Sequence, residues 1–272
     1  MRSLLRHSNF VVGTLLLSLV AVAVAFGPLL APYDPQLFHP QARLQGPSAA
    51  FPLGTDQFGR DLLSRMLHGA RPTVLFGLGA TALGVLAGGL IGLGAGVAAG
   101  RVDAVVMRVL DGLIAVPDLI FALLIVTVLG NGMGNALLAV AIAFTPGLAR
   151  ITRSTVLSLR ARDYVLAARA RGEGPAWIIL CEVLPNAVGP VVIEATIRVA
   201  FAIMIGATLG FLGLGAQPPS TEWGLMIATA RQFMARNVWT VLVPSVAIAV
   251  VALGFNLLGD ALRDRLDPRG RS

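Results

Sequence analysis

The sequence predicts an all-α membrane protein that crosses the bilayer six times. Of its 272 residues, 56% are hydrophobic and only 13% are charged, whereas a soluble domain carries roughly a quarter charged residues. The charges also cluster between apolar runs, most of which reach the ~20 residues that a helix needs to cross the hydrocarbon core. We therefore expect little aqueous surface and a single transmembrane domain over residues 1–272.

The apolar runs define the expected spans and the segments between them. The spans cover residues 10–31, 73–99, 112–130, 135–150, 187–211 and 238–258. Small residues at 21–25 resemble a signal-peptide cleavage site, but the first run is long for a signal peptide and predicts a retained helix. In the charged segment 32–70, Thr55 or Asp56 can cap a short helix over residues 58–67, which is expected at the membrane surface.

The arginines predict the orientation of the chain. Every cation is an arginine; fourteen of the 21 fall on the side of the two termini, six fall on the other side, and Arg198 lies inside a span. Cytoplasmic segments carry the excess of cations, which predicts cytoplasmic N- and C-termini and a cytoplasmic loop at 151–186. The net charge of +7 does not indicate nucleic-acid binding, because the cations lie at the ends of apolar runs.

A ladder of glycines runs along the second span at every fourth position. Its members are Gly84, Gly88, Gly92 and Gly96, continued by Gly100. Residues four apart share one face of a helix, so this face consists of bare backbone. In lipid, such faces allow helices to approach closely, and the ladder predicts a site of helix packing.

The fifth span contains two charges, Glu194 and Arg198. They are four residues apart and can pair on one face of a helix. Charges inside a span face the protein interior, where they are either paired or functional. A structural ion pair and a role in lining a transport pathway both remain open.

The loop at 151–186 is rich in alanine, leucine and arginine, which favour helix. Gly172 and Gly174 predict the end of this helix, and Pro175 is suited to begin a second one that Pro185 should terminate. The chain has no lysine, and therefore no phosphate-binding loop ending in Gly-Lys-Ser/Thr. Any energy source must be another protein or an ion gradient.

The same loop carries a motif of two alanines, a glycine and a Leu-Pro pair. Its members are Ala167, Ala168, Gly172, Leu184 and Pro185. The motif resembles the coupling-loop signature of permease subunits of bacterial ABC importers, although Leu166 stands where the signature has Glu and Glu182 where it has Ile. Further motifs resemble the second permease of dipeptide, oligopeptide and nickel importers. They are residues 29–35 (LLAPYDP), 53–56 (LGTD), 59–61 (GRD), 211–215 (FLGLG), 222–224 (EWG), 255–260 (FNLLGD) and 267–268 (DP).

The resemblance implies a type I ABC importer permease fold in the bacterial cytoplasmic membrane. It implies a heterodimer with a homologous second permease, two cytoplasmic ATPase subunits that bind ATP and Mg²⁺, and an extracytoplasmic binding protein. The chain itself would then bind no cofactor and catalyse no reaction. The residues implied to contact an ATPase are Leu166, Ala167, Ala168, Arg169, Ala170, Arg171, Gly172, Leu184 and Pro185.

Two other classes of function for a membrane protein are a gradient-driven transporter and a membrane enzyme. A gradient-driven transporter should carry ionisable residues in several spans, whereas only Glu194 and Arg198 are clearly intramembrane. A membrane enzyme needs a catalytic constellation, and the three histidines have no metal-ligand spacing. The cargo stays open between peptides and a nickel chelate, with peptides favoured because a nickel pathway should use His or carboxylates.

Overall fold

A computed structural model describes residues 8–98 and 100–266, and its regular elements there are all helical. The helices are α1 (Ser8–Leu30), α2 (Leu62–Ala98), α3 (Gly100–Ile114), α4 (Asp118–Leu129), α5 (Met133–Arg160), α6 (Asp163–Ala170), α7 (Pro175–Trp177), α8 (Leu184–Phe211), α9 (Trp223–Ala230) and α10 (Trp239–Leu266). The prediction of an all-α chain is confirmed. Arg2, Arg6 and the motif at 267–268 lie outside the described residues.

Five stretches of helix are long and apolar enough to cross a membrane. They are α1, α2, α5, α10 and the continuous stretch Pro175–Phe211 that ends in α8. The pair α3 and α4 forms a sixth candidate, but it is bent by 92° at a short break. The expected third span at 112–130 is therefore not one straight helix, because Pro117 stands in the break and precedes the first residue of α4.

The short surface helix expected at 58–67 does not exist as a separate element. Asp61 accepts hydrogen bonds from the amide and the hydroxyl of Ser64, and α2 begins at Leu62. Leu62 and Met66 are buried with Trp223 in one apolar cluster. The first turns of α2 are thus held by tertiary packing and continue into the span, which begins well before the expected residue 73.

One expected helix end is wrong, because Pro185 does not terminate the helix that begins at Pro175. Helix α5, which contains the fourth expected span at 135–150, continues to Arg160. A π-helical turn at Ile178–Val183 precedes Pro185. A wider turn of this kind changes which carbonyl faces each amide, so that a proline can be accommodated without a break.

Helix α2 lies at the centre of the fold and packs against α1, α5 and α8. One apolar core, which includes Phe76 and Phe144, joins α2, α4, α5 and α8, and a second joins α1, α2, α8, α9 and α10. On the expected outer side, residues 31–61 form an ordered lobe. The Asn237 side chain donates to the carbonyls of Gln45 and Thr55 in this lobe, and Gln36 donates to the carbonyl of Pro219.

Candidate functional site

The candidate coupling surface is built on α6, a two-turn helix on the expected cytoplasmic side. Its inward residues Val165 and Ala168 are fully buried. They pack in a cluster with Val156 of α5 and with Ile178 and Val183. Leu93 and Val97 of α2 lie against the same cluster. The helix is therefore fixed to α5 and to the turn at 178–183 by apolar contacts that a polar substitution would break, and the end of α2 packs on the same cluster.

The opposite face of α6 is open. Leu166 keeps 48% of its surface exposed and Tyr164 keeps 37%, and Ala167 and Ala170 are also exposed. Small and apolar residues at exposed positions on a short helix are typical of a surface that docks another protein. The structure thus divides the expected contact residues, since Ala168 supports the helix from within while Leu166 and Ala167 face outward.

Gly172 ends α6 in a left-handed conformation, with φ of 82°. The amide of Glu173 donates to the carbonyl of Ala168 over 3.2 Å, and the amide of Gly172 donates to Arg169 over 2.9 Å. These two bonds form a Schellman motif, which requires positive φ at the glycine position. A Cβ at Gly172 would meet nothing within 4 Å, so glycine is needed here for its backbone conformation rather than for space.

Arg160 links the two long helices next to this surface. Its guanidinium donates to the carbonyl of Gly96 and, over 3.1 Å, to that of Val97. These carbonyls belong to the last turn of α2, whose acceptors have no partner within the helix and favour a cation. Sequence reasoning missed this role, because nothing local relates a residue of α5 to backbone groups more than sixty residues earlier.

A cleft of about 380 Å³ opens beside α6. Its walls come from the end of α2, from α5 and from the segment that follows α6: Val97, Val156, Arg160, Arg169, Glu173, Pro175, Ile178, Ile179 and Val183. Arg171 lies 3.8 Å from Glu173 and 3.9 Å from Glu182. Glu182 therefore has a cationic neighbour on the same surface; it is one of the two departures from the coupling signature. Leu184 and Pro185, the last two expected contact residues, are exposed.

The glycine ladder of α2 lies against α5. A Cβ on Gly92 would stand 2.3 Å from the Ala149 carbonyl oxygen, and one on Gly88 would stand 2.7 Å from the Thr145 carbonyl oxygen. Gly84 and Gly96 also face α5. A Cβ on Gly84 would stand 3.2 Å from the Ala141 carbonyl oxygen, and one on Gly96 would stand 2.9 Å from Cγ1 of Val156. Gly100 does not share this packing role. It has φ of 64° and is the first residue of α3, so it lies at the turn between α2 and α3.

Glu194 and Arg198 form an ion pair within α8, with 3.1 Å between Nε and Oε1. The guanidinium also contacts Asp118 at the start of α4, with 2.9 Å between Nη1 and Oδ2, and lies 4.9 Å from the ring centre of Phe144. We call Asp118, Glu194 and Arg198 the charge triad. The sequence placed Asp118 only at the entrance of a span and gave no signal for this contact.

The triad carries two carboxylates and one guanidinium, and it is not fully enclosed. The side chain of Asp118 keeps 44% of its surface exposed, while those of Arg198 and Glu194 keep about a fifth. A carboxylate exposed to lipid is unfavourable. This face of the chain must therefore meet water or another protein.

Residues 70–272 match the family model described as the binding-protein-dependent transport system inner membrane component. Residues 1–47 match the N-terminal transmembrane domain of oligopeptide transport permease C. The chain belongs to the family of binding-protein-dependent transport permeases. It is thus a multi-pass inner membrane protein and an ABC transporter permease.

Relatives within this permease family cover nearly the whole chain. The di/tripeptide transport system permease protein DppC of Pseudomonas aeruginosa is 43% identical over 270 residues, which are 97% of this chain and 89% of the relative. The dipeptide transport system permease protein DppC of Alkalihalophilus pseudofirmus is 40% identical over 100% of this chain and 89% of its own. The glutathione transport system permease protein GsiD of Pectobacterium atrosepticum is 39% identical over 100% of this chain and 90% of the relative.

Solved structures confirm the permease fold. An inward-facing structure of the MetNI methionine ABC transporter superposes with a TM-score of 0.61 at 18% identity, and it covers 75% of this chain and 97% of the matched chain. A second inward-facing form of the same transporter superposes with a TM-score of 0.58 at 21% identity, and it covers 74% of this chain and 98% of the matched chain. The expected type I ABC importer permease fold is confirmed.

Proposed function

We propose that this chain forms one half of the translocation pathway of an ATP-driven importer of di- and oligopeptides. We propose further that it receives the movement of the ATPase subunits through α6. The observation that carries this proposal is the two-faced character of α6, which buries Val165 and Ala168 completely and exposes 48% of Leu166. A helix fixed on one side and open on the other is suited to transmit a displacement from a bound partner.

The contacts of α6 define what would move. Its inner face shares an apolar cluster with Val156 of α5, against which Val97 of α2 also packs, and Arg160 ties the end of α5 to the last turn of α2. Along the glycine ladder these two helices are in backbone contact. A push on α6 would therefore move α2 and α5 as one body, because close-packed interfaces transmit displacement rather than absorb it.

The partners follow the family's organisation. A homologous second permease would complete the pathway, two cytoplasmic ATPase subunits would bind ATP and Mg²⁺, and a binding protein would deliver the cargo. Support for the binding-protein contact comes from the outer lobe at 31–61, which is joined to the 212–222 segment through Gln36 and Pro219. An ordered outer surface of this kind suits repeated docking of a soluble protein.

The cargo is proposed from the relatives, whose printed names refer to di- and tripeptides, dipeptides and glutathione. The test is the ATPase rate of the reconstituted four-subunit complex with its binding protein. We expect the peptide-loaded binding protein to stimulate hydrolysis above the unloaded one. Stimulation only by a nickel-chelate-loaded binding protein would assign the alternative cargo.

The coupling role is tested by Ala167→Arg, which places a long cation on the open face of α6. We expect loss of the co-purifying ATPase subunits while the permease pair stays folded. Ala235→Arg is the matched control, because Ala235 is also exposed and lies on the expected outer side of the membrane. If Ala167→Arg retains the ATPase subunits as well as Ala235→Arg does, α6 is not their docking site.

For the charge triad we propose that Asp118 faces the pathway. Two observations support this proposal: the Asp118 side chain is exposed, and it follows the break between α3 and α4. Helices that are interrupted within the membrane are tolerated where they line a cavity. The test is a neutral triad, Asp118→Asn, Glu194→Gln and Arg198→Met together. We expect a stable complex that transports poorly; a variant with normal transport would assign the triad a purely structural role.

A further inference from the structure

Helix α3 covers most of the segment between the second and third expected spans, and its orientation in the membrane follows from its neighbours. It is joined to α4 by a short break at which the two axes turn by 92°. Helix α4 packs on α5 through Ala122 and Val126 and is connected to it by a tight turn at residues 130–132. Short connections of this kind place helices antiparallel, so α4 follows the membrane normal with α5. At 92° to α4, α3 must lie close to the membrane plane.

The depth of α3 follows from its ion pairs with α5. Asp111 contacts Arg150, and Asp103 contacts Arg153. From Met133 at the outer end of α5, these arginines lie about 26 and 30 Å along the helix axis at 1.5 Å per residue. The hydrocarbon core is about 30 Å thick. Helix α3 therefore lies at the inner boundary of the core, where phospholipid headgroups begin.

The faces of α3 are strongly different, and it is the most amphipathic of the long helices. Asp103 and Leu110 are buried against the rest of the protein. A stripe of three valines, Val102, Val105 and Val109, is exposed by 60%, 65% and 60%. Positions three and four apart share one side of a helix, so this apolar stripe is continuous.

Arg101 and Arg108 occupy another side of α3. Each stands two positions before a buried residue, and on a helix that separation is about 200° around the axis. The two arginines therefore point away from the protein. Within residues 8–98 and 100–266, neither takes part in an ion pair or a side-chain hydrogen bond, whereas the aspartates of α3 are paired with α5.

We propose that α3 is an inner-leaflet interfacial helix that binds anionic phospholipids. Its valine stripe lies among the acyl chains, and Arg101 and Arg108 pair with headgroup phosphates. An amphipathic helix with apolar residues on one side and cations at headgroup level suits this position, and anionic lipids of the cytoplasmic leaflet attract such cations. The inference does not depend on the cargo, so it stands or falls separately from the proposed peptide transport.

The depth of α3 is tested in the assembled transporter in nanodiscs. Nitroxide labels are placed at Val102→Cys, Val105→Cys or Val109→Cys in a chain whose only cysteine, Cys181, is replaced by serine, together with cysteine-free partner subunits. We expect all three labels to collide with dissolved oxygen and to lie at the same depth. A transmembrane α3 would instead separate positions 102 and 109 by about 10 Å in depth. Labels shielded from both oxygen and a water-soluble relaxation agent would show that a partner subunit covers the stripe. Either result overturns the proposal.

The headgroup contact is tested by native mass spectrometry of the whole complex with phosphatidylglycerol and phosphatidylcholine. For Arg101→Gln with Arg108→Gln, we expect phosphatidylglycerol affinity to fall about fivefold per arginine. Arg43→Gln with Arg236→Gln removes the same charge from exposed positions on the outer side and serves as the control. An equal loss in both double variants, or no loss in either, contradicts a headgroup site on α3.

Discussion

The guanidinium of Arg198 in α8 lies 2.9 Å from the Asp118 carboxylate at the start of α4. The same guanidinium pairs with Glu194 one turn earlier in α8. The guanidinium of Arg198 thus contacts two carboxylates, one from its own helix α8 and one from α4. The broken third span is attached to the fifth span at this point.

Replacement of Arg198 should be the most harmful single change in the charge triad, because it leaves two carboxylates without their cation. For Arg198→Met we expect a loss near the lower end of the ~3–5 kcal/mol typical of a broken buried pair, since the group is partly exposed. Glu194→Gln should cost less. Thermal unfolding of the purified complex provides the measurement. The neutral triad should recover most of the loss, and an Arg198→Met complex as stable as Glu194→Gln would contradict this account.

Gly92→Ala should destabilise the contact between α2 and α5. The new Cβ would stand 2.3 Å from the Ala149 carbonyl oxygen, so the helices must separate, at a cost of about 1–3 kcal/mol. Gly89→Ala and Gly94→Ala are matched controls on the same helix, because a Cβ there meets nothing within 4 Å. These controls should be neutral or stabilising, since alanine favours helix by about 1 kcal/mol over glycine. The melting temperature and yield of the complex distinguish the three variants, and a Gly92→Ala complex that matches the controls would be the contrary result.

Gly172→Ala should weaken the end of α6 without creating a clash. The left-handed conformation costs an alanine roughly 1–2 kcal/mol, and the Schellman bonds from Gly172 and Glu173 depend on it. We expect a modest loss of stability with a larger loss of transport per ATP hydrolysed. Gly174→Ala is the control, because φ of Gly174 is −70°, a value that alanine adopts freely. Unchanged transport per ATP in Gly172→Ala would argue against a coupling role for this turn.

Glu222 should make the stability of the complex depend on pH. Its carboxylate accepts bonds from the amides of Gly224 and Leu225 and caps α9, yet burial raises the pKa of Glu222 above its ordinary value of 4.5. Because the pKa of Glu222 is higher in the folded than in the unfolded protein, its protonation stabilises the fold. This contribution is fully present below pH 4.5 and is lost as pH rises through the folded-state pKa. Glu222→Gln should remove this dependence in thermal unfolding between pH 4.5 and 8. Parallel pH profiles for the two proteins would contradict this expectation.

Much of the architecture could be predicted because the features that encode it are local. Apolar runs long enough to cross the membrane predicted most of the spans, and the four-residue glycine spacing predicted a bare helix face. The ends of the elements were less predictable. Helix α2 starts at Leu62 because Leu62 and Met66 are buried with Trp223, a residue about 160 positions away, and no pattern near position 62 reveals that contact.

The sequence by itself determined the class of protein, most of its long apolar helices and the end of a short helix at Gly172, because hydropathy, glycine spacing and turn chemistry act over a few residues. Only the tertiary structure decided that Pro185 lies within a continuous helix, that Asp118 joins Glu194 and Arg198, and that α3 turns through 92° to lie against α5. These features depend on which distant groups meet. In the membrane, charges and backbone carbonyls must find partners wherever the packed helices bring them together.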